Sequence, residues 1–124
     1  MIRWIVHAGT EFKAHHALTS YQGRAEATHE HLWRVEVRVA TEDLNREAFA
    51  VDFHALRELL EEIVAPLAGS DLGRHPRLAS PSPTAERLAL FVAGELGQGI
   101  LGLGATLVGV SVWEGPENRV DLEL

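Results

Sequence analysis

The chain has 124 residues and a formal net charge of −7, with no cysteine and 46% apolar residues. That length and apolar content suit one domain, residues 1–124, with its own core. The missing cysteines exclude disulfides and thiolate metal sites, and the acidic balance argues against a nucleic-acid partner, which needs a basic face. Neither a leader-like apolar run nor any stretch of about 18 apolar residues is visible, so a soluble cytoplasmic protein without membrane attachment is expected.

In chain order, Ile2 to Leu18 reads as extended and broken around Gly9-Thr10, with Phe12, Ala14 and His16 sharing one face. Residues 19–28 read as a loop. A strand from His29 to about Thr41 follows, in which Trp33, Val35, Val37 and Val39 alternate with Leu32, Arg34, Glu36 and Arg38. Asp52 suits an N-cap, and Phe53, Leu56, Leu60, Ile63 and Leu67 recur at helical spacing. Residues 69–82 form a Gly/Pro/Ser-rich loop. Ser82-Pro83 signals a second helix with Pro83 in its first position. Its apolar stripe is Ala85, Leu88, Ala89, Val92 and Leu96, and the glycines at 97, 99, 102 and 104 end it. Ala105–Glu114 and Arg119–Leu124 read as strands joined by the turn Gly115-Pro116-Glu117-Asn118.

The order β-β-α-α-β-β predicts an α+β layer: a four-stranded antiparallel sheet with both helices on one face. Leu32 and Ala40 leave the second face partly apolar, so a neighbouring subunit is expected to cover it.

His29-Glu30-His31 puts two imidazoles on one side of a strand, about 7 Å apart along the chain. If the two N-terminal strands pair through the 19–28 loop, His16 comes beside them. Three neutral imidazoles with a fourth position open is the pattern of a catalytic zinc site, although a His-x-His pair is common without a metal. His15 falls on the opposite face. His7, His54 and His75 read as surface or supporting histidines.

The residues then resemble the 6-pyruvoyltetrahydropterin synthase / 6-carboxytetrahydropterin synthase family. Its Phe-x-Ala-Ala-His-x-Leu segment matches Phe12 to Leu18, and its His-Gly-His matches His29-Glu30-His31. Its helix starts match Val51-Asp52-Phe53 and Pro83-Thr84-Ala85-Glu86, and its late-strand glutamate matches Glu114. The resemblance implies a T-fold assembled as an oligomeric barrel, a dimer of trimers with sites between subunits. It implies Zn²⁺ on His16, His29 and His31, and a reduced pterin, 7,8-dihydroneopterin triphosphate, as substrate. Glu114 would anchor the pterin ring, with Thr84 and Glu86 nearby.

The chain departs from the family pattern at three places. Ala25 stands where the family carries its catalytic cysteine, and Glu26 follows, giving Glu26-x-x-His29-x-His31. A family subgroup replaces the cysteine by such a glutamate as the base, with a shift toward a 6-hydroxymethyl product. Glu30 replaces the glycine between the two histidines. The family's Leu-Asp-His relay falls on Leu67-Ala68-Gly69, or with a shift on Asp71, with His75 the nearest imidazole. Three readings follow. One is a zinc-dependent lyase-type pterin enzyme of folate or queuosine supply, with Glu26 (and Asp71 and His75) as catalytic candidates. Another is a zinc- and pterin- or purine-binding relative without turnover. The last is a structural or interaction protein whose histidines are incidental.

Overall fold

The computed structural model describes residues 2–124; Met1, which opens the expected domain 1–124, lies outside the described residues. The elements are strands β1 (Trp4–His16) and β2 (His29–Thr41), helices α1 (Phe53–Val64) and α2 (Ala85–Gly102), and strands β3 (Thr106–Glu114) and β4 (Asn118–Glu123). They form one antiparallel sheet in the order β1-β2-β3-β4. The expected β-β-α-α-β-β architecture is the observed one.

The alternation seen in β2 sets the layering. Trp33, Val35, Val37 and Val39 are fully buried and share a core with Phe12 and Ala14 of β1 and Val110 and Val112 of β3. Leu56, Leu60 and Val64 of α1 and Leu88, Ala89, Val92, Leu96 and Ile100 of α2 close over the same face. Because His16, His29, His31 and Glu114 have the same parity as these core residues, their side chains leave the sheet on the helix side.

Four local expectations are corrected. β1 runs unbroken through Gly9-Thr10. A Cβ at Gly9 would lie 2.6 Å from Arg34 Nη2, so this glycine makes room for a neighbouring arginine and does not end the strand. Phe53 is 68% exposed and contributes nothing to the α1 stripe; Val64 does, and Leu67 is buried from a short 3₁₀ turn, Ala65–Leu67. Thr84, not Ser82, caps α2, which leaves Pro83 ahead of the cap instead of in the first turn. Helix α2 also continues through Gly97 and Gly99 to Gly102. Gly99 lets α2 approach Leu59 of α1, where a Cβ would sit 3.1 Å from both leucine methyls. The stop comes at Gly104, whose φ of +77° is a left-handed conformation that other residues adopt at a cost.

The second sheet face is mixed, with the expected apolar share set among charged pairs. His7 Nδ1 lies 2.9 Å from Glu36, Arg38 donates to Ser111 at 2.6 Å, and Trp113 is flanked by the guanidinium groups of Arg34 and Arg119. Leu32 is exposed there at 47%. Ile5, at 42%, is exposed on the same face, so charged pairs and apolar side chains share it. No helix among the described residues is long and apolar enough to cross a membrane.

Candidate metal centre

The β1–β2 register pairs His16 with His29 and Ala14 with His31. The β2–β3 register pairs Trp33 with Glu114. Three strand ends thus deliver His16, His29, His31 and Glu114 to one spot at the edge of the core. One ligand atom from each residue lies within 4.8 Å of all the others. The imidazole rings of His16 and His29 are 4.7 Å apart, and those of His29 and His31 are 4.5 Å apart.

The surroundings orient these rings. His16 is 1% exposed, and its Nδ1 lies 2.9 Å from the Pro83 carbonyl oxygen. A carbonyl only accepts, so Nδ1 carries a proton there and Nε2 is the nitrogen turned into the cluster, 3.1 Å from Glu114 Oε1. His29 Nδ1 lies 3.0 Å from the Ala27 carbonyl and is oriented in the same way. Trp33 forms the floor: fully buried, it stands edge-on to His16 at 4.9 Å and donates its indole N–H to the Ala14 carbonyl at 3.2 Å.

His31 Nε2 is buried and makes no hydrogen bond, although Glu114 Oε1 lies 3.0 Å away. Burial lowers the His31 pKa below its usual value, helped by neighbouring His29 and His16 and opposed by the Glu114 and Glu26 carboxylates. A neutral imidazole with an unpartnered inward nitrogen is a metal ligand in waiting. The donor set of three imidazoles and a carboxylate fits a divalent cation, and the cluster could hold one.

The other predicted site residues are distributed as follows. Glu26 lies beside the cluster. Its Oε1 accepts from the Leu18 amide at 3.1 Å and lies 3.6 Å from His29 Nδ1, while its own amide donates to the Leu18 carbonyl. Thr84 caps α2, its hydroxyl accepting from the Arg87 amide, and Glu86 is exposed in the first turn of α2. Asp71 and His75 are not brought into the cluster. Asp71 accepts from the Gly73 amide at the start of a 3₁₀ turn, and His75 accepts from the Arg77 amide and packs against Phe91. His15 and Glu30 face each other on the opposite side of the sheet, 3.7 Å apart.

Two features escaped the sequence reading: the Pro83 carbonyl behind His16, and the entry of the Glu114 carboxylate into the histidine cluster. The first has no side-chain signal. The second was readable in part, since Glu114 shares the parity of Val110 and Val112, but its cross-strand partner needed the register.

A family model described as 6-pyruvoyl tetrahydropterin synthase matches residues 5–123. No curated protein matches the chain. Among solved structures, a Caenorhabditis elegans 6-pyruvoyl tetrahydropterin synthase superposes with a TM-score of 0.83 at 16% identity, over 100% of this chain and 97% of that one. An uncharacterized protein from Wolinella succinogenes gives 0.80 at 14% identity, over 99% of each chain. A Plasmodium vivax 6-pyruvoyltetrahydropterin synthase, a catalytic-residue mutant with a glutamate replaced by alanine, gives 0.78 at 12% identity, over 100% and 99%. These likenesses carry the fold, and the family match covers nearly the whole sequence: the chain has the T-fold and belongs to the 6-pyruvoyl tetrahydropterin synthase family.

Proposed function

We propose that the chain is a zinc-dependent enzyme acting on 7,8-dihydroneopterin triphosphate, by triphosphate elimination or side-chain cleavage. The 6-hydroxymethyl product is our first choice and the 6-pyruvoyl or 6-carboxy products come next. The carrying observation is the convergence of His16, His29, His31 and Glu114 around a buried, unpartnered imidazole nitrogen in a pterin-family fold.

His16, His29 and His31 would hold Zn²⁺. Bound there, the ion would supply Lewis acidity, lowering the pKa of side-chain hydroxyls of the pterin. The chain's own residues do the rest. Pro83 and Ala27 hold His16 and His29 in one tautomer through their carbonyls. Trp33 keeps water from the back of the site. Glu26 would take the proton from the side-chain hydroxyl. Its carboxylate is anchored by the Leu18 amide next to His29, the place left by the absent cysteine at Ala25. The Plasmodium vivax relative is described with a catalytic glutamate, which supports such a role. Glu114 would accept from the pterin N3–H and 2-amino group, with Thr84 and Glu86 at the adjacent helix start. Pathways of folate or queuosine supply suit these products, and a cytoplasmic location suits the substrate.

We also propose a homo-oligomer, a dimer of trimers with sites between subunits. The supporting observation is the exposed apolar group formed by Trp4 and Ile5 at the start of edge strand β1 with Leu44, Phe49 and Phe53 beside them. The alternative reading is a zinc- and pterin-binding relative without turnover. It is favoured by the missing cysteine and by the engagement of Asp71 and His75 elsewhere.

The test is mass-spectrometric product analysis after incubation of zinc-loaded protein with 7,8-dihydroneopterin triphosphate, with His29→Ala as control. A 6-substituted pterin that vanishes in the control supports the enzyme and identifies its branch. Unchanged substrate with stoichiometric zinc favours the non-catalytic alternative.

A further inference from the structure

A metal site on three imidazoles is expected to keep its fourth position open to water or substrate. Here that position is not free. Glu114 Oε1 lies 3.1 Å from His16 Nε2, 3.0 Å from His31 Nε2 and 4.0 Å from His29 Nε2. A tetrahedral ion with bonds of about 2.0–2.1 Å holds its ligand atoms about 3.3 Å apart. The carboxylate oxygen therefore stands where a fourth ligand would stand.

The hydrogen bonds behind the rings sharpen the point. With His16 Nδ1 turned to the Pro83 carbonyl and His29 Nδ1 to the Ala27 carbonyl, Nε2 is the inward-facing nitrogen of both rings. His31 Nε2 also points there without a hydrogen bond. A carboxylate oxygen facing three imidazole nitrogens, within hydrogen-bonding distance of His16 Nε2 at 3.1 Å, is an arrangement that a shared cation holds together, either a proton on one ring or a metal ion bound by all four.

We propose that Glu114 is the fourth ligand of the metal in the substrate-free protein, closing the site as a three-histidine, one-carboxylate centre. This rests on the metal-site reading above. It gives the carboxylate two positions: on the metal when the site is empty of pterin, and on the pterin ring once a substrate oxygen has taken its place. The strand end suits such an exchange. Glu114 is the last residue of β3, its side chain is 31% exposed, and Gly115, with φ of +71°, begins the turn immediately after it.

The experiment titrates the metal-free full chain with Co²⁺ and Zn²⁺, in wild type and in Glu114→Ala, Glu114→Gln and His31→Ala. The Co²⁺ visible spectrum reports the ligand set, chelator competition reports Zn²⁺ affinity, and far-UV circular dichroism checks folding. We expect one ion per chain in wild type. Both Glu114 variants should still bind, with Zn²⁺ affinity reduced about tenfold or more and with an altered Co²⁺ spectrum, because water replaces the carboxylate. His31→Ala should lose stoichiometric binding. Glu114 variants with unchanged affinity and spectrum, beside a His31→Ala that loses metal, would overturn the fourth-ligand proposal and leave the three-histidine site standing. Wild type that binds neither ion would overturn both.

Discussion

His16 Nδ1 on β1 lies 2.9 Å from the carbonyl oxygen of Pro83, 67 residues further along the chain and immediately before the cap of α2. The start of a helix thereby fixes which nitrogen of a strand-end imidazole faces the cluster. Such support behind a ligand tunes metal affinity, typically by about 10–100-fold.

Thr84→Ala tests this link. The hydroxyl that accepts from the Arg87 amide is lost, which should cost about 1 kcal/mol of stability. Loosening the backbone at Pro83 should also weaken zinc binding severalfold. Urea unfolding and chelator competition measure the two effects; a stability loss with zinc affinity unchanged would detach the cap from the metal centre.

The ligand assignment has a simple control in neighbouring histidines. His29→Ala should abolish stoichiometric zinc, whereas His15→Ala should retain it, because His15 faces Glu30 across the sheet from the cluster. Elemental analysis of the purified variants decides. Zinc lost in His15→Ala and kept in His16→Ala would mean a strand shifted by one residue.

Acid should release the metal and weaken the apo fold together. The folded pKa of His31 lies below the usual value of about 6.5, so in the window beneath 6.5 the unfolded chain binds more protons than the folded one. Stability from the neutral ring is complete above that window and is lost as pH falls through it. Thermal midpoints of the metal-free protein should therefore drop below about pH 6.5, less steeply in His31→Asn. Zinc affinity should fall over the same range, since protons compete for the ligands.

Glu26→Ala separates base from support. Zinc binding should persist, because Glu26 stands 3.6 Å from His29 Nδ1 and outside the ligand group. Turnover should fall by about 10²-fold or more if this carboxylate moves the proton. Full activity in the variant would remove Glu26 from the chemistry.

The floor of the site is a stability element. Trp33→Phe leaves the Ala14 carbonyl without its indole donor in a fully buried position. The loss should be about 1 kcal/mol for the hydrogen bond, since the Ala14 carbonyl keeps its place in the ladder opposite His31, with a further cost for the space left. Chemical denaturation with zinc removed would read it directly; a variant as stable as wild type would show that the bond contributes nothing.

Much of this was legible in one dimension. Period-two alternation in β2, helical spacing in α1 and α2, and the turn at Gly115 give the element order, because each pattern reports the geometry of its own segment. The same parity rule places His29 and His31 on one side and Glu30 on the other. Where the sequence reading failed, the cause was a contact with another segment. Gly9 suggested a break but accommodates Arg34, and Gly99 suggested a helix end but accommodates Leu59. Glycine marks a missing side chain, and only the neighbour says whether the space serves a turn or a close approach.

By itself, then, the sequence determined the layered α+β order, the histidine trio and the face on which they lie, all consequences of local periodicity. Tertiary structure decided that Glu114 enters the cluster, that Pro83 orients His16, and that Asp71 and His75 are engaged elsewhere. Those facts depend on strand register and on where a loop carbonyl comes to rest, which the packing of the whole chain sets and no local pattern encodes.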